Sequence, residues 1–378
     1  MARKRNAGEG SIFQRSDGRW AAQIDLGRRN GMRLRKYLYG TTAAEVQVQL
    51  LKARSDKADG LPVKVERQTV AQYLERWLIE CAKLSTRPRT FERYEQLIRL
   101  HIVPEIGATR LEKLAPGDVQ RLLNLKHAGG LSPKSVRHIR AVLTVALNRA
   151  LRWGLVGRNV AALTDAPKLE RHEIHPLTLE QTQHFIDIVK NGPFGPFFLL
   201  AATTGARRGE LLAAKWADVD LDGRVVRVTG SLQRINGSLQ VCEPKTSKSR
   251  RPLPLLDFVA EALKAHRARQ LRERLQAGSS WLDHDFVFTG DLGQPLDPDG
   301  ALRDAFKAAL GKAGLPDIRL HDLRHSAASL LMALNIHPRV VMELLGHSQI
   351  SLTMNTYSHT VPEILRDAID KLGAALNG

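Results

Sequence analysis

Cysteine is scarce in this chain: there are two, Cys81 and Cys242, far apart and outside any CxxC or Cys/His cluster. That spacing excludes a disulfide framework or a cysteine-built zinc site and fits a reducing compartment. Long hydrophobic runs are missing too. The most apolar stretch, Phe194 to Ala206, is broken by Gly195, Pro196 and Gly205 and falls short of the roughly 18 residues a membrane span needs. The opening MARKRNAGEG is basic but leads into no apolar segment, so a signal peptide is not expected. Neither a Gly-x-x-x-x-Gly-Lys-Ser/Thr loop nor a cluster of acidic residues suited to a metal is visible, and there is no internal repeat. The expectation is a soluble protein of the cytoplasm, with no membrane, no metal and no nucleotide cofactor.

Acidic residues are in deficit, 39 Asp and Glu against 57 Lys and Arg, for a formal net charge of +18. Such an excess points to a polyanionic partner, nucleic acid first and an anionic membrane surface second. Charge alone does not choose between them. The length of 378 residues with 43% hydrophobic content suggests two or three domains with ample core material.

The order of patterns along the chain predicts a multidomain fold, mainly α with small β-sheets. Residues 11–40 read as a three-stranded antiparallel sheet. Asp17-Gly18 supplies the first hairpin turn, and Trp20, Ala22, Ile24 and Leu26 alternate onto one face. Arg19, Arg33 and Arg35 make the other face basic, either for a DNA groove or simply for solubility. Thr42 and Glu45 form a capping box for a helix over 42–58. A linker at 60–68 precedes four helices. The first starts at Thr69, capped with Gln72, and carries Val70, Tyr73, Leu74, Trp77, Leu78 and Cys81 on one stripe. The others cover 89–101, Pro116 to Lys126, and Ser132-Pro133 onward to Trp153. Their polar positions include Arg87, Arg93, Lys134, Arg137 and Arg140, which suit phosphate contacts or an ordinary solvated surface. Asn159–His175 reads as a second linker.

Thr178 with Gln181 opens a mixed α+β region. Helices are expected at 179–190, 194–203 and 207–214, then strands at 224–229 and 238–242 with a turn at Asn236-Gly237, and a further strand at 251–255. Helices follow at 256–275, 298–312, 321–334, 338–345, 351–358 and 362–376. The last has an apolar stripe (Ile364, Leu365, Ala368, Ile369, Leu372).

Four short pieces of this region carry chemistry. Arg207 and Glu210 are spaced to share one helical face, so the carboxylate can steer the guanidinium; alone, such a pair is an ordinary surface ion pair. Lys245 sits in a basic loop. His321 and Arg324 lie one helical turn apart, with His325 directed elsewhere. His347 precedes Tyr357, and Tyr357 follows every other tyrosine (Tyr37, Tyr39, Tyr73, Tyr94) by a wide margin. Two imidazoles, a guanidinium and a lone phenol make sense together if the phenol attacks a phosphate.

Taken together, the pieces TTGARRGELLAAKW, PKTSKSRRPLPL, LHDLRHSAAS and LLGHSQISLTMNTYSH resemble, in order, the motifs of the tyrosine recombinase or phage integrase family, the group of lambda-type integrases and Xer-type resolvases. The likeness is strongest over 174–360. Residues 66–165 are similar to that family's helical core-binding domain, and 8–58, with Gly-Ser-Ile-Phe and Asp-Gly-Arg-Trp, to its arm-type DNA-binding domain. The implied domains are therefore 1–60, 66–165 and 174–378. The resemblance implies that Tyr357 attacks a DNA phosphodiester to leave a 3′-phosphotyrosyl link and a free 5′-hydroxyl. Only about one phenol in a thousand is ionised at neutral pH, so the nucleophile needs help. By resemblance, His321 takes or relays its proton. Arg207, Arg324 and His347 hold the phosphate oxygens, Lys245 protonates the leaving 5′-oxygen, and Glu210 orients Arg207. Implied partners are double-stranded attachment-site DNA, further copies in a homo-tetramer, a DNA-bending protein and a directionality factor, in the nucleoid of a bacterial host. In the family the C-terminal tail often docks on a neighbouring subunit; packing on its own domain is the alternative. Two other functions stay open at this level: relaxation of DNA by a type IB topoisomerase, and regulation by a non-catalytic DNA-binding protein.

Overall fold

The computed structural model describes residues 11–29, 32–58, 68–169, 175–244 and 249–346. Their described parts form two compact units, within 1–170 and within 171–378.

The first unit begins with strands β1 (Ser11–Gln14), β2 (Trp20–Arg29) and β3 (Met32–Gly40), antiparallel in that order. Gly18, at φ +82°, makes the first turn, as expected from its freedom in the left-handed region. Helix α1 (Ala43–Ala58) covers one face, with Val46, Leu50 and Ala53 buried against Ala22 and Ile24. The helix start departs from the expected box by one residue. Thr42 Oγ1 accepts from the Glu45 amide at 3.2 Å, but the Glu45 carboxylate caps the Thr41 amide at 2.9 Å rather than that of Thr42.

Next comes a helical bundle: α2 (Val70–Trp77), α3 (Lys83–Ser85), α4 (Pro88–Leu97), α5 (Val103–Ile106), α6 (Pro116–Ala128) and α7 (Pro133–Arg152). Thr69 and Gln72 cap α2 in both directions. π-helical turns at Leu78–Ala82 and Ile98–Ile102 join α2 to α3 and α4 to α5, so two helices run further than the apolar spacing predicts. Val70, Tyr73, Leu74, Trp77 and Leu78 of the expected stripe are buried and Cys81 is half-buried, and the Tyr73 hydroxyl donates to the Ala146 carbonyl at 2.5 Å. The second linker is a correction. Asn159 is buried, donates to Thr144 O and Asn148 Oδ1, and caps a 3-10 turn at Val160–Leu163 whose first residues join the bundle core. The Asn159 side chain replaces backbone partners, accepting from the Ala161 and Ala162 amides, and so holds the first part of the expected linker to the bundle.

The second unit contains α8 (Leu179–Val189), α9 (Gly195–Thr204), α10 (Arg208–Leu212), β4 (Val219–Asp220), β5 (Val225–Arg227), β6 (Ser231–Ile235), β7 (Ser238–Cys242), β8 (Pro252–Pro254), α11 (Asp257–Ala277), α12 (Ala301–Lys312), α13 (Asp322–Ala333) and α14 (Pro338–Leu345). Helix α9 is apolar on every side, as a helix at the centre of a core must be. It packs on α8, α11 and α13, with Phe185, Phe197, Phe198, Phe288 and Phe306 in edge-on contact around it. The strands differ from the expected hairpin. Asn236 and Gly237, both at positive φ, turn β6 into β7, whereas β5 pairs with β4 and β8 in a separate sheet. Gly230 is the break: a Cβ there would lie 2.7 Å from Val241 Cγ1. The helices expected at 351–358 and 362–376 lie outside the described residues.

Candidate active site

Helix α9 ends because Gly205 takes a left-handed conformation, φ +59°, and this turn starts the site. A Cβ at Gly205 would stand 2.5 Å from Leu345 Cδ2, so the close approach of α9 to the end of α14 requires glycine. Two residues on, Arg207 precedes α10. The Glu210 carboxylate reaches back to the Arg207 amide (3.0 Å) and accepts from the Arg207 guanidinium (2.6 Å). The expected pairing is present, and its setting is not that of a surface pair: Glu210 is only 6% exposed. Burial pushes its carboxyl up. The Arg251 guanidinium, followed by that of Arg207, outweighs this and holds it below the ordinary value.

Arg324, 3% exposed, lies on α13 and points at the same place. It donates to Gly205 O at 2.8 Å and to Leu345 O at 2.7 Å. Its helix is fixed at the start by Asp322, which accepts from the Arg319 amide and guanidinium, and by Ser326, whose hydroxyl accepts from the Leu177 amide.

His321 stands at the N-terminal end of α13. Desolvation of the ring, then His325, then Arg324 push its pKa down to about 4, although part of the residue stays open to solvent. Desolvation is the largest of these causes, and the imidazole is neutral, hence a proton acceptor, at pH 7. Arg207 is close enough to add to the effect. His325 does not point elsewhere, as the sequence suggested. Its ring meets that of His321 edge-on at 5.5 Å, as the one-turn spacing allows.

Residues 245–248 and 347–378 are outside the described residues, so Lys245, His347 and Tyr357 have no described position. What is described is the end of α14 immediately before His347. Leu344, Leu345 and Gly346 present three successive carbonyls, and each accepts from a different arginine: Arg251 Nε at 2.6 Å, Arg324 at 2.7 Å and Arg207 at 3.2 Å. These carbonyls form the negative end of the helix. Arg251 was not among the expected site residues. Its signal was nonetheless present, because in Arg251-Pro252-Leu253-Pro254-Leu255 the arginine shares the inward side with two leucines. Among the described residues no group of three or more His, Cys, Asp and Glu is placed to hold a metal ion.

Comparison with known proteins reaches the same region. Residues 176–363 match the description "Phage integrase family", and residues 69–127 match "Phage integrase, N-terminal SAM-like domain". A "Tyrosine recombinase XerC-like" protein of Caldanaerobacter subterraneus subsp. tengcongensis is 31% identical, over 92% of this chain and 94% of its own. The chain belongs to the phage integrase family. An integrase of Streptomyces ambofaciens is also 31% identical, over 99% of this chain and 100% of its own. Among solved structures, the Tn1549 transposon integrase in complex with transposon right end DNA superposes with a TM-score of 0.69 at 22% identity, covering 81% of this chain and 100% of that one. A lambda integrase tetramer bound to a Holliday junction gives 0.57 at 20% identity, covering 93% and 96%. Family members are tyrosine recombinases, enzymes that break and rejoin DNA, and these names do not favour the topoisomerase or regulator alternatives.

The expected DNA-binding residues of this integrase are dispersed. Arg19 is exposed beside the first turn; Arg33 and Arg35 lie on β3, their side chains outside the described residues. Arg87 and Arg93 are exposed at and on α4, as are Lys134 and Arg137 on α7. Arg140 is half-buried and donates to Thr164 Oγ1 and Ala162 O, and exposed Arg137 donates to Pro167 O, so both brace the segment read as a linker. No helix of the described residues is long and apolar enough to cross a membrane.

Proposed function

We propose that this chain is a site-specific integrase that integrates or excises a mobile element or phage genome through a 3′-phosphotyrosyl intermediate, with Tyr357 as nucleophile. The phenol oxygen attacks the scissile phosphorus and the P–O5′ bond breaks. The phenol proton passes to His321, and Lys245 supplies a proton to the leaving 5′-oxygen. Arg207, Arg324 and His347 hold the non-bridging oxygens, where charge collects in the pentavalent state. The link keeps the phosphodiester activated for attack by a new 5′-hydroxyl, so rejoining needs no ATP. The carrying observation is the convergence of Arg207, Glu210, Arg324 and His321 around the end of α14 that leads into His347.

In this reading residues 1–60 are an arm-type DNA-binding domain, 66–165 a core-binding domain and 174–378 the catalytic domain. The separate hydrophobic clusters and the SAM-like match support that division. The working form is a homo-tetramer on paired double-stranded sites, assisted by a DNA-bending protein and a directionality factor. The lambda integrase tetramer on a Holliday junction supports the assembly. Arg19, Arg33, Arg35, Arg87, Arg93, Lys134 and Arg137 contact DNA phosphates.

The test is a nicked suicide duplex carrying the element's junction. The native chain is expected to form a covalent adduct, in EDTA as well as in magnesium, whereas Tyr357→Phe binds the duplex but forms none. An adduct with Tyr357→Phe rules out that nucleophile, and loss of the adduct in EDTA rules out a metal-free site.

A further inference from the structure

Arg251 lies in the PKTSKSRRPLPL piece but carries none of the roles that the resemblance implies, and it is the most completely enclosed cation of the site after Arg324, 8% exposed against 3%. Its three nitrogens divide between three structures. Nε donates to Leu344 O at 2.6 Å, one terminal nitrogen to Ser249 O at 3.2 Å, and the other to Glu210 Oε2 at 3.0 Å. Glu210 in turn holds Arg207 by amide and guanidinium. Ser249 is the residue at which the described chain resumes after the Lys245 segment, and Leu344 is three residues before His347. Gly346 sits on Arg251: a Cβ there would lie 2.8 Å from an Arg251 terminal nitrogen, and its φ is +66°.

The geometry points to Arg251 as a positioning residue for strand transfer. Its guanidinium ties the Arg207–Glu210 pair to Ser249 and to the end of α14, so that the Arg207 guanidinium is aligned on the charged phosphate oxygens before DNA arrives. This rests on the function proposed above. The fork geometry is essential to the argument. A lysine would keep the positive charge beside Glu210, but one ammonium on a flexible stem cannot serve the three acceptors in their planar arrangement. Misalignment of that kind is felt in the rate of the chemical step rather than in DNA affinity.

The test compares the full chain with Arg251→Lys, on a nicked duplex carrying the break point mapped with the native protein. Two forms of the duplex are used, one with the natural phosphodiester and one with a methylphosphonate at the scissile position, where a methyl group replaces the charged oxygen the arginines hold. At saturating DNA, Arg251→Lys is expected to slow adduct formation about 10- to 100-fold on the phosphodiester. On the methylphosphonate the difference should shrink to a few-fold, because the charge to be clamped is gone, with DNA affinity unchanged on both. A native rate on the phosphodiester overturns the proposal, as does an equal loss on both duplexes. Failure of Arg251→Lys to fold, seen as a lost melting transition, also overturns it, since the residue would then serve stability alone. Absence of adduct with the native chain instead overturns the proposed function, a result distinguishable from the others.

Discussion

At the scale of single residues, the site is a set of arginines that hold the protein together and that, in the proposed function, also face a phosphate. Arg324 is buried and satisfies two carbonyls. Arg324→Ala therefore removes the proposed phosphate clamp and the hydrogen bonds that Gly205 O and Leu345 O accept from it. The expected outcome is adduct formation slower by roughly a hundredfold or more, with a loss of about 1–3 kcal/mol in chemical unfolding. Arg207→Ala, whose guanidinium is more open, should match the first effect with less of the second. His321 gives a pH signature. Its folded pKa of about 4 lies below the ordinary histidine value, so between those pH values the unfolded chain binds more protons and stability rises with pH. Adduct formation should hold its rate from neutral pH down past 6.5 and fail only as pH approaches 4, whereas melting temperature declines across that window. His325 and His266, also lowered, add to the decline. Replacing His321 by Asn and finding the same slope would assign the decline to other groups.

At the scale of elements, local chemistry was readable wherever a short-range signal closes on itself. The Thr69–Gln72 and Thr178–Gln181 boxes are present as their spacing implies, and Asn236-Gly237 makes its turn. The pairing partner of that turn was not readable, because 225–227 and 231–235 are both short runs with apolar residues and only the pairing of 225–227 with β8 separates them. The Gly205 turn between α9 and α10 is the element on which the site depends. Gly205→Ala combines a strained φ with a clash against Leu345, and should cost about 1–3 kcal/mol, measured by denaturant unfolding. Adduct formation should fall in parallel, since α9, α10 and α14 meet there. An unchanged rate in the folded fraction would mean that the α14 end tolerates displacement.

For the molecule as a whole, the charge excess and the order of motifs announced a DNA-handling enzyme of several parts. The basic N-terminal sheet and the arginines of α4 and α7 should each contribute to a salt-dependent affinity. Arg35→Ala or Lys134→Ala in the full chain should weaken duplex binding for all sequences alike and lower the salt slope by about 1. A sequence-selective loss would instead indicate a base contact.

The sequence by itself determined the family, the helices with capped ends and the apolar faces, because each is encoded in neighbours a few residues apart. Only tertiary structure decided that Arg251 joins Glu210 and that three arginines from separate segments divide three successive carbonyls at the end of α14. The contacts of Arg251 with Glu210 and Leu344 and of Arg207 with Gly346 link positions 41 to 139 residues apart and arise where buried charge has to find its acceptors, a requirement that no local pattern states.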